Sequence, residues 1–184
     1  MSTAAEIDAR TGGQPLRRIV FSPERIAARV EEMGREIGAA YPPGEDLLVI
    51  GLLKGSFIFL ADLVRHIERP LYVDFLVAAS YGSSTVSSGL LKLVYDPEAQ
   101  IGGRHVLLIE DIIDSGNTLN RLVPILRSRG PRSLELCALL HKRLAAPLTL
   151  EPRWVGFDAP PEFLVGYGLD HSENFRSLPF IASL

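Results

Sequence analysis

The sequence predicts an α/β fold with a mainly parallel sheet and helices on both of its faces. Three observations carry that expectation. Short β-type apolar runs alternate along the chain with amphipathic stretches. The β-type runs are continuous in apolar character, as in strands buried on both faces, rather than alternating with polar residues. Finally, 184 residues with 47% apolar and 22% charged side chains suit one globular domain, long enough to bury roughly 70% of its unfolded surface.

In chain order, residues 1–15 mix Gly, Ser, Thr, Gln and Pro without periodicity and read as a mobile leader, leaving 16–184 as a single domain. Ser22-Pro23-Glu24 signals a first helix, with serine as N-cap and proline at the first helical position. Its apolar stripe, Ile26, Val30, Met33 and Ile37, has helical spacing, and YPPG (41–44) closes it. LLVIG (47–51), FIFLADLVRHIER (57–69) and LYVDFLVAAS (71–80) form a strand, helix, strand unit. The polar stretch YGSSTVSSG (81–89) precedes a strand at LLKLVY (90–95). HVLLI (105–109) is the next strand, TLNRLVPILRSRG (118–130) a helix expected to kink at Pro124, and SLELCALL (133–140) a further strand. Residues 147–184 are dense in Pro and Gly, with short strands near RWVGF (153–157) and FLVGYG (163–168), and are expected to contribute to a cap over the sheet.

Charge and composition exclude several classes. The formal net charge is −3 and no block of basic residues occurs, so neither nucleic acid nor an anionic membrane is an expected partner. The N-terminus lacks an apolar signal region and no segment offers the ~18 apolar residues of a membrane span, which points to a cytoplasmic protein. The single cysteine, Cys137, lies in an apolar run and reads as a buried core thiol. Histidines 66, 105, 141 and 171 show no metal-binding spacing and read as structural or surface residues.

The stretch with most chemistry is EDIIDSGNT (110–118), placed where a strand delivers the chain to a helix. Free N–H groups at a helix start attract phosphate, yet Glu110, Asp111 and Asp114 should repel it. A ribose 5-phosphate resolves the conflict. Ser115, Gly116, Asn117 and Thr118 can hold the phosphate while adjacent carboxylates accept from ribose hydroxyls or from magnesium bridging them. DSGNT taken alone is also a plausible solvated helix start. The G-x-x-x-x-G-K-[ST] phosphate motif is absent, and GYGLDH (166–171) fails the last position of G-x-G-x-x-G.

Around this stretch the chain carries LLKGSFIFLADL (52–63), VDFLVAASYGSSTVSSG (73–89), ALLHKR (138–143) and VGFDAPPEFLVGYGLDHSENFRSLPF (155–180). In these blocks and their order it resembles the type I phosphoribosyltransferases, and among them the hypoxanthine-guanine enzymes of bacterial type. The resemblance implies a five-stranded, mainly parallel core sheet flanked by helices, with a small cap, or hood, made from the terminal segments. It implies transfer of ribose 5-phosphate from phosphoribosyl pyrophosphate to N9 of a 6-oxopurine, with Mg2+, in a homodimer or homotetramer.

Carried over residue by residue, the resemblance makes Lys54 and Gly55 the pyrophosphate loop, where a non-proline cis peptide is expected, and Ser80 and Tyr81 the start of a mobile loop over the reacting centre. Glu110 and Asp111 take the ribose hydroxyls and magnesium, Asp114 acts at N7 of the base, and Ser115 to Thr118 hold the 5′-phosphate. Lys142 reaches O6 of the purine, Phe163 stacks on the ring, and the Leu164 backbone lies beside the C2 substituent. Asp170 is a magnesium ligand and Arg176 a pyrophosphate contact. His141, Pro161 and His171 depart from the family pattern and leave the base preference open. The rival readings are a xanthine or pyrimidine transferase and a non-catalytic regulator that senses phosphoribosyl pyrophosphate.

Overall fold

The computed structural model describes residues 9–80, 91–143 and 147–184. Residues 1–8 of the expected leader therefore lie outside the described residues, while Arg10 donates to the Ser177 carbonyl at 3.1 Å. The chain then forms β1 (Arg18–Phe21), α1 (Pro23–Ala39), β2 (Leu47–Leu53), α2 (Phe57–Val64), β3 (Leu71–Ser80) and β4 (Leu91–Tyr95). It continues with β5 (His105–Ile113), α3 (Asn117–Ser128), β6 (Ser133–His141), β7 (Trp154–Asp158), β8 (Leu164–Val165) and β9 (Ile181–Ser183).

Six strands make the main sheet in the order β4-β3-β2-β5-β6-β7. Five of them are parallel, and β4 joins the β3 edge antiparallel. The two-sided burial expected from the apolar runs is visible residue by residue along β2. Leu47 and Val49 pack in one core with Ile26 and Met33 of α1 and Phe59 of α2, whereas Leu48 and Ile50 pack in the other with Leu122 and Leu126 of α3. Ser22 accepts from the Arg25 N–H at 3.4 Å, and Pro23 opens α1 as the sequence indicates.

Two boundaries differ from the sequence reading by four residues or more. The stretch 57–69 is helical only to Val64, because the chain then turns closely across α1: a Cβ on Gly34 would fall 2.4 Å from the His66 Cβ. The strand at 105–109 continues to Ile113, because β6 keeps pairing with it through Ile113↔His141. Pro124 lies inside α3, which runs on to Ser128.

The terminal segments build a second, three-stranded sheet in the order β1-β9-β8. Its pairs are antiparallel, Arg18 against Ser183 and Leu164 against Ser183 on the two sides of β9. This is the cap. Among the described residues no helix is long and apolar enough to cross a membrane.

Candidate active site

The chain runs from β2 to β3 on one side and then returns to β5 on the other side of β2, so strand order reverses between β2 and β5. In an open parallel sheet such a reversal leaves a crevice beyond the carboxyl ends of the strands. Here the crevice is visible in the pairing. β2 stays with β3 as far as Leu53↔Val77, but its pairing with β5 ends at Gly51↔Ile109. Glu110 and Asp111 follow at once on β5.

Glu110 is buried and Asp111 partly so. Glu110 is only 9% exposed, and burial together with the neighbouring Asp111 raises its carboxyl pKa well above the ordinary range. Burial is also the main force raising Asp111, to about 6, with Asp170 acting in the same direction. Opposing it are backbone hydrogen bonds, including Ile112 N–H to Oδ1 at 2.9 Å, and the Arg176 guanidinium.

Beyond Ile113 the backbone turns through Gly116, whose φ of 73° lies in the left-handed region that glycine adopts without a Cβ clash. Gly116 is the N-cap of α3 and offers no side chain to its first turn; the nearest substitute, Asn117 N–H to the Ser115 hydroxyl, is 3.5 Å long. The start of α3 is thereby left with donors to spare. A cleft of about 100 Å3 lies there, lined by Glu110 and by Asp114, Ser115, Gly116, Asn117 and Thr118 among others.

The register of β5 against β6 fixes the next pair. Since Ile113 lies opposite His141, Asp114 and Lys142 leave the sheet side by side, tied by Lys142 N–H to the Ile113 carbonyl at 2.9 Å. Lys142 Nζ donates to Asp114 Oδ2 at 3.2 Å. The lysine side chain is 12% exposed and the aspartate 66% exposed, so the pair has one anchored and one open member.

Across the crevice, a second cleft of about 250 Å3 is lined by Lys54, Gly55, Glu110, Asp111, Thr118, Asp170 and Arg176 among others. The two clefts share Glu110 and Thr118. The Leu53–Lys54 peptide is cis. Gly55 is needed for a spatial reason, since a Cβ there would fall 1.6 Å from Asp111 Oδ2. Gly168 of the cap packs against the same residue: with φ at 101°, its Cβ would fall 2.1 Å from the Gly55 carbonyl oxygen. Arg176 donates to the Gly168 carbonyl at 2.8 Å and pairs with Asp170 Oδ1 at 2.9 Å.

On the cap, Phe163 is 53% exposed, an unusual position for a large aromatic, and meets the His171 ring edge-on at 5.5 Å between centroids. Leu164 beside it is buried in β8. Ser80 ends β3, and Tyr81 lies outside the described residues.

Residues 21–172 match the family model described as phosphoribosyl transferase domain. The chain belongs to this family. It is 43% identical over 196 residues to the hypoxanthine-guanine phosphoribosyltransferase of Mycobacterium avium, covering all of this chain and 97% of the relative. A crystal structure of a hypoxanthine-guanine phosphoribosyltransferase from Bacillus anthracis is 42% identical, with a TM-score of 0.86 over 92% of this chain and 99% of that one. The hypoxanthine phosphoribosyltransferase of Trypanosoma cruzi, solved with its product IMP, is 35% identical with a TM-score of 0.83 over 92% and 94% of the two chains.

Within this phosphoribosyltransferase domain, residues named from the sequence line both clefts, and Asp114 and Lys142, named there separately, stand together as a hydrogen-bonded pair; three neighbours were given less weight. Gly168 stands inside a quoted block without a role, and His171 is named there only as a departure from the family pattern. Glu173 is the larger omission. Its Oε1 accepts from Lys54 at 2.9 Å and its Oε2 from Arg176 at 3.3 Å, which lowers its carboxyl pKa. No sequence spacing connects residues 54 and 173; only the meeting of cap and sheet does.

Proposed function

We propose that the chain transfers the 5-phosphoribosyl group of phosphoribosyl pyrophosphate to N9 of a 6-oxopurine, hypoxanthine or guanine, releasing pyrophosphate in purine salvage. The observation that carries this reading is the Asp114–Lys142 pair at 3.2 Å. A 6-oxopurine protonated at N7 presents a donor there and an acceptor at O6 on one edge. An acceptor carboxylate beside a donor ammonium complements that edge.

The two clefts that share Glu110 divide the sugar phosphate between them. Donors at the start of α3, with Ser115 and Thr118, hold the 5′-phosphate. Lys54 and Arg176 hold the diphosphate, and Glu110 and Asp111 accept from the ribose hydroxyls. The bond from C1′ to the diphosphate oxygen breaks with its electron pair going to the leaving group, and N9 supplies the pair for the new bond. Asp114 holds or takes the N7 proton as positive charge moves onto the base. The exposed Phe163 ring stacks on the purine, with the Leu164 backbone beside C2.

The donor set fits magnesium. Glu110 and Asp111 are neighbouring hard carboxylates, with Asp170 close enough to raise the Asp111 pKa, and among the described residues no group of three or more acidic, histidine or cysteine side chains is placed to hold a metal ion by itself. Magnesium suits such a site because it takes one or two carboxylates and completes its shell with water and substrate phosphate. When bound with the sugar phosphate it would offset the charge of the departing diphosphate.

Pyrophosphate release measured with hypoxanthine, guanine, xanthine, adenine and uracil side by side tests the assignment. Hypoxanthine or guanine should turn over fastest. Adenine, which places an amino group against the Lys142 donors, should be worse by about 10⁴-fold. Adenine rates comparable with hypoxanthine would overturn the 6-oxopurine reading, and xanthine as the best base would move the chain to the xanthine branch. Light scattering addresses the proposed homodimer or homotetramer.

A further inference from the structure

We infer that Glu173 is an affinity-determining residue of the diphosphate cleft, a tethered carboxylate that occupies Lys54 and Arg176 in the free protein and competes with diphosphate for them. The inference rests on the transferase reading above. Its two oxygens reach two cations that arrive from opposite walls, Lys54 after β2 and Arg176 on the cap, at 2.9 and 3.3 Å. A phosphate group would bridge the same two nitrogens in the same manner.

The local backbone aims the side chain there. Ser172 and Glu173 have φ of 52° and 66°, and the Glu173 N–H donates to Asp170 Oδ2 at 2.9 Å. The glutamate and Lys54 side chains are 66% and 64% exposed, so the carboxylate can swing aside without unpacking any core. Arg176 keeps its place without it, through the Gly168 carbonyl and Asp170. Once a diphosphate is seated, the displaced carboxylate remains beside it as a like charge that favours departure.

A different role would give the opposite sign. If Glu173 merely braced Lys54 and Arg176 in a binding-ready position, its removal would loosen diphosphate. Glutamine separates the two, because it has the same shape and the same backbone cost at positive φ but no charge.

Calorimetric titration of inorganic pyrophosphate with magnesium into the parent chain, Glu173→Gln, Lys54→Gln and the double variant is the test. Exposed ion pairs are each worth a factor of roughly 1.5 to 5, so Glu173→Gln should tighten pyrophosphate by about three- to tenfold. Much of that gain should vanish in the Lys54→Gln background, where half of the competition is already gone. Unchanged or weaker binding by Glu173→Gln, with the parent binding normally, overturns the inference alone. Absence of binding by the parent overturns the transferase reading, and the inference with it.

Discussion

The half of the site carried by β5 and β6 and the half carried by the turn between β8 and β9 are built in opposite ways. On the sheet, position follows from register: Ile113 opposite His141 puts Asp114 beside Lys142. On the cap turn, position follows from backbone geometry, with Gly166, Tyr167, Gly168, Ser172, Glu173 and Phe175 all at positive φ. The electrostatics differ in the same sense. Glu110, buried, and Asp111, partly buried, are acids on the sheet whose charge desolvation opposes, whereas Arg176 on the turn is already paired with two carboxylates. The sheet half therefore waits for a cation or a donor, and the cap half must give up an internal anion. A ligand carrying hydroxyls, bound metal and diphosphate satisfies both halves at once.

The largest expected effect separates chemistry from binding within the sheet half. Asp114→Asn should lower kcat by roughly 10²–10⁴ while leaving phosphoribosyl pyrophosphate affinity, read by calorimetry, nearly unchanged. Loss of that affinity with turnover spared at saturation would reverse the division of labour between Asp114 and its neighbours Glu110 and Asp111.

Gly55→Ala attacks the junction of the two halves. The new methyl would displace the Asp111 carboxylate, and misplacement on the ångström scale costs about 10²-fold in kcat/KM. Activity near that of the parent would show that the junction can yield without consequence.

Phe163→Ala sharpens the comparison on the cap side. Stacking on an aromatic is worth about 1–3 kcal/mol per base, so the purine KM should rise accordingly with little change in the KM for the sugar phosphate. Equal changes in both would make the ring a general brace of the cap rather than a base platform.

The smallest effect is on stability and runs against function. Asp111 has a folded-state pKa of about 6 against 3.8 for the free side chain. Its protonated form is therefore favoured by folding. Below about pH 4 it is protonated in both states and nothing is lost; between about pH 4 and 6 the unfolded chain gives up the proton while the folded chain keeps it, so stability falls across that window and the full loss stands above pH 6. Asp111→Asn should consequently unfold about 1–3 kcal/mol later than the parent in urea at pH 8 with chelator present, with a narrower gap at pH 5. A parent more stable than the variant at pH 8 would mean that the carboxylate is compensated in a way the buried arrangement does not show.

Legibility in the sequence followed the same division. The strands β2, β5 and β6 announce themselves because burial on both faces demands continuous apolar runs, and the loop from Asp114 to Thr118 because its small residues follow directly. The sequence ends the strand at Ile109, before Glu110 and Asp111, although β5 runs on to Ile113 in pairing with β6, since polarity misleads where a strand ends in a site. Strands β1 and β9, of four and three residues, are too short for periodicity to register. The bridge from Glu173 to Lys54 spans 119 positions and exists only because the cap folds over the sheet.

The contact of Gly168 with Gly55 sets how far the hood stands above the strands, and it is made by main chain on both sides. That contact is made without the side chains that line the two clefts. On the proposed function, substitutions at Phe163, His171 or Lys142 would change the surface offered to the base without touching the Gly55–Gly168 contact. In this molecule, the ruler and the reading head are separate parts.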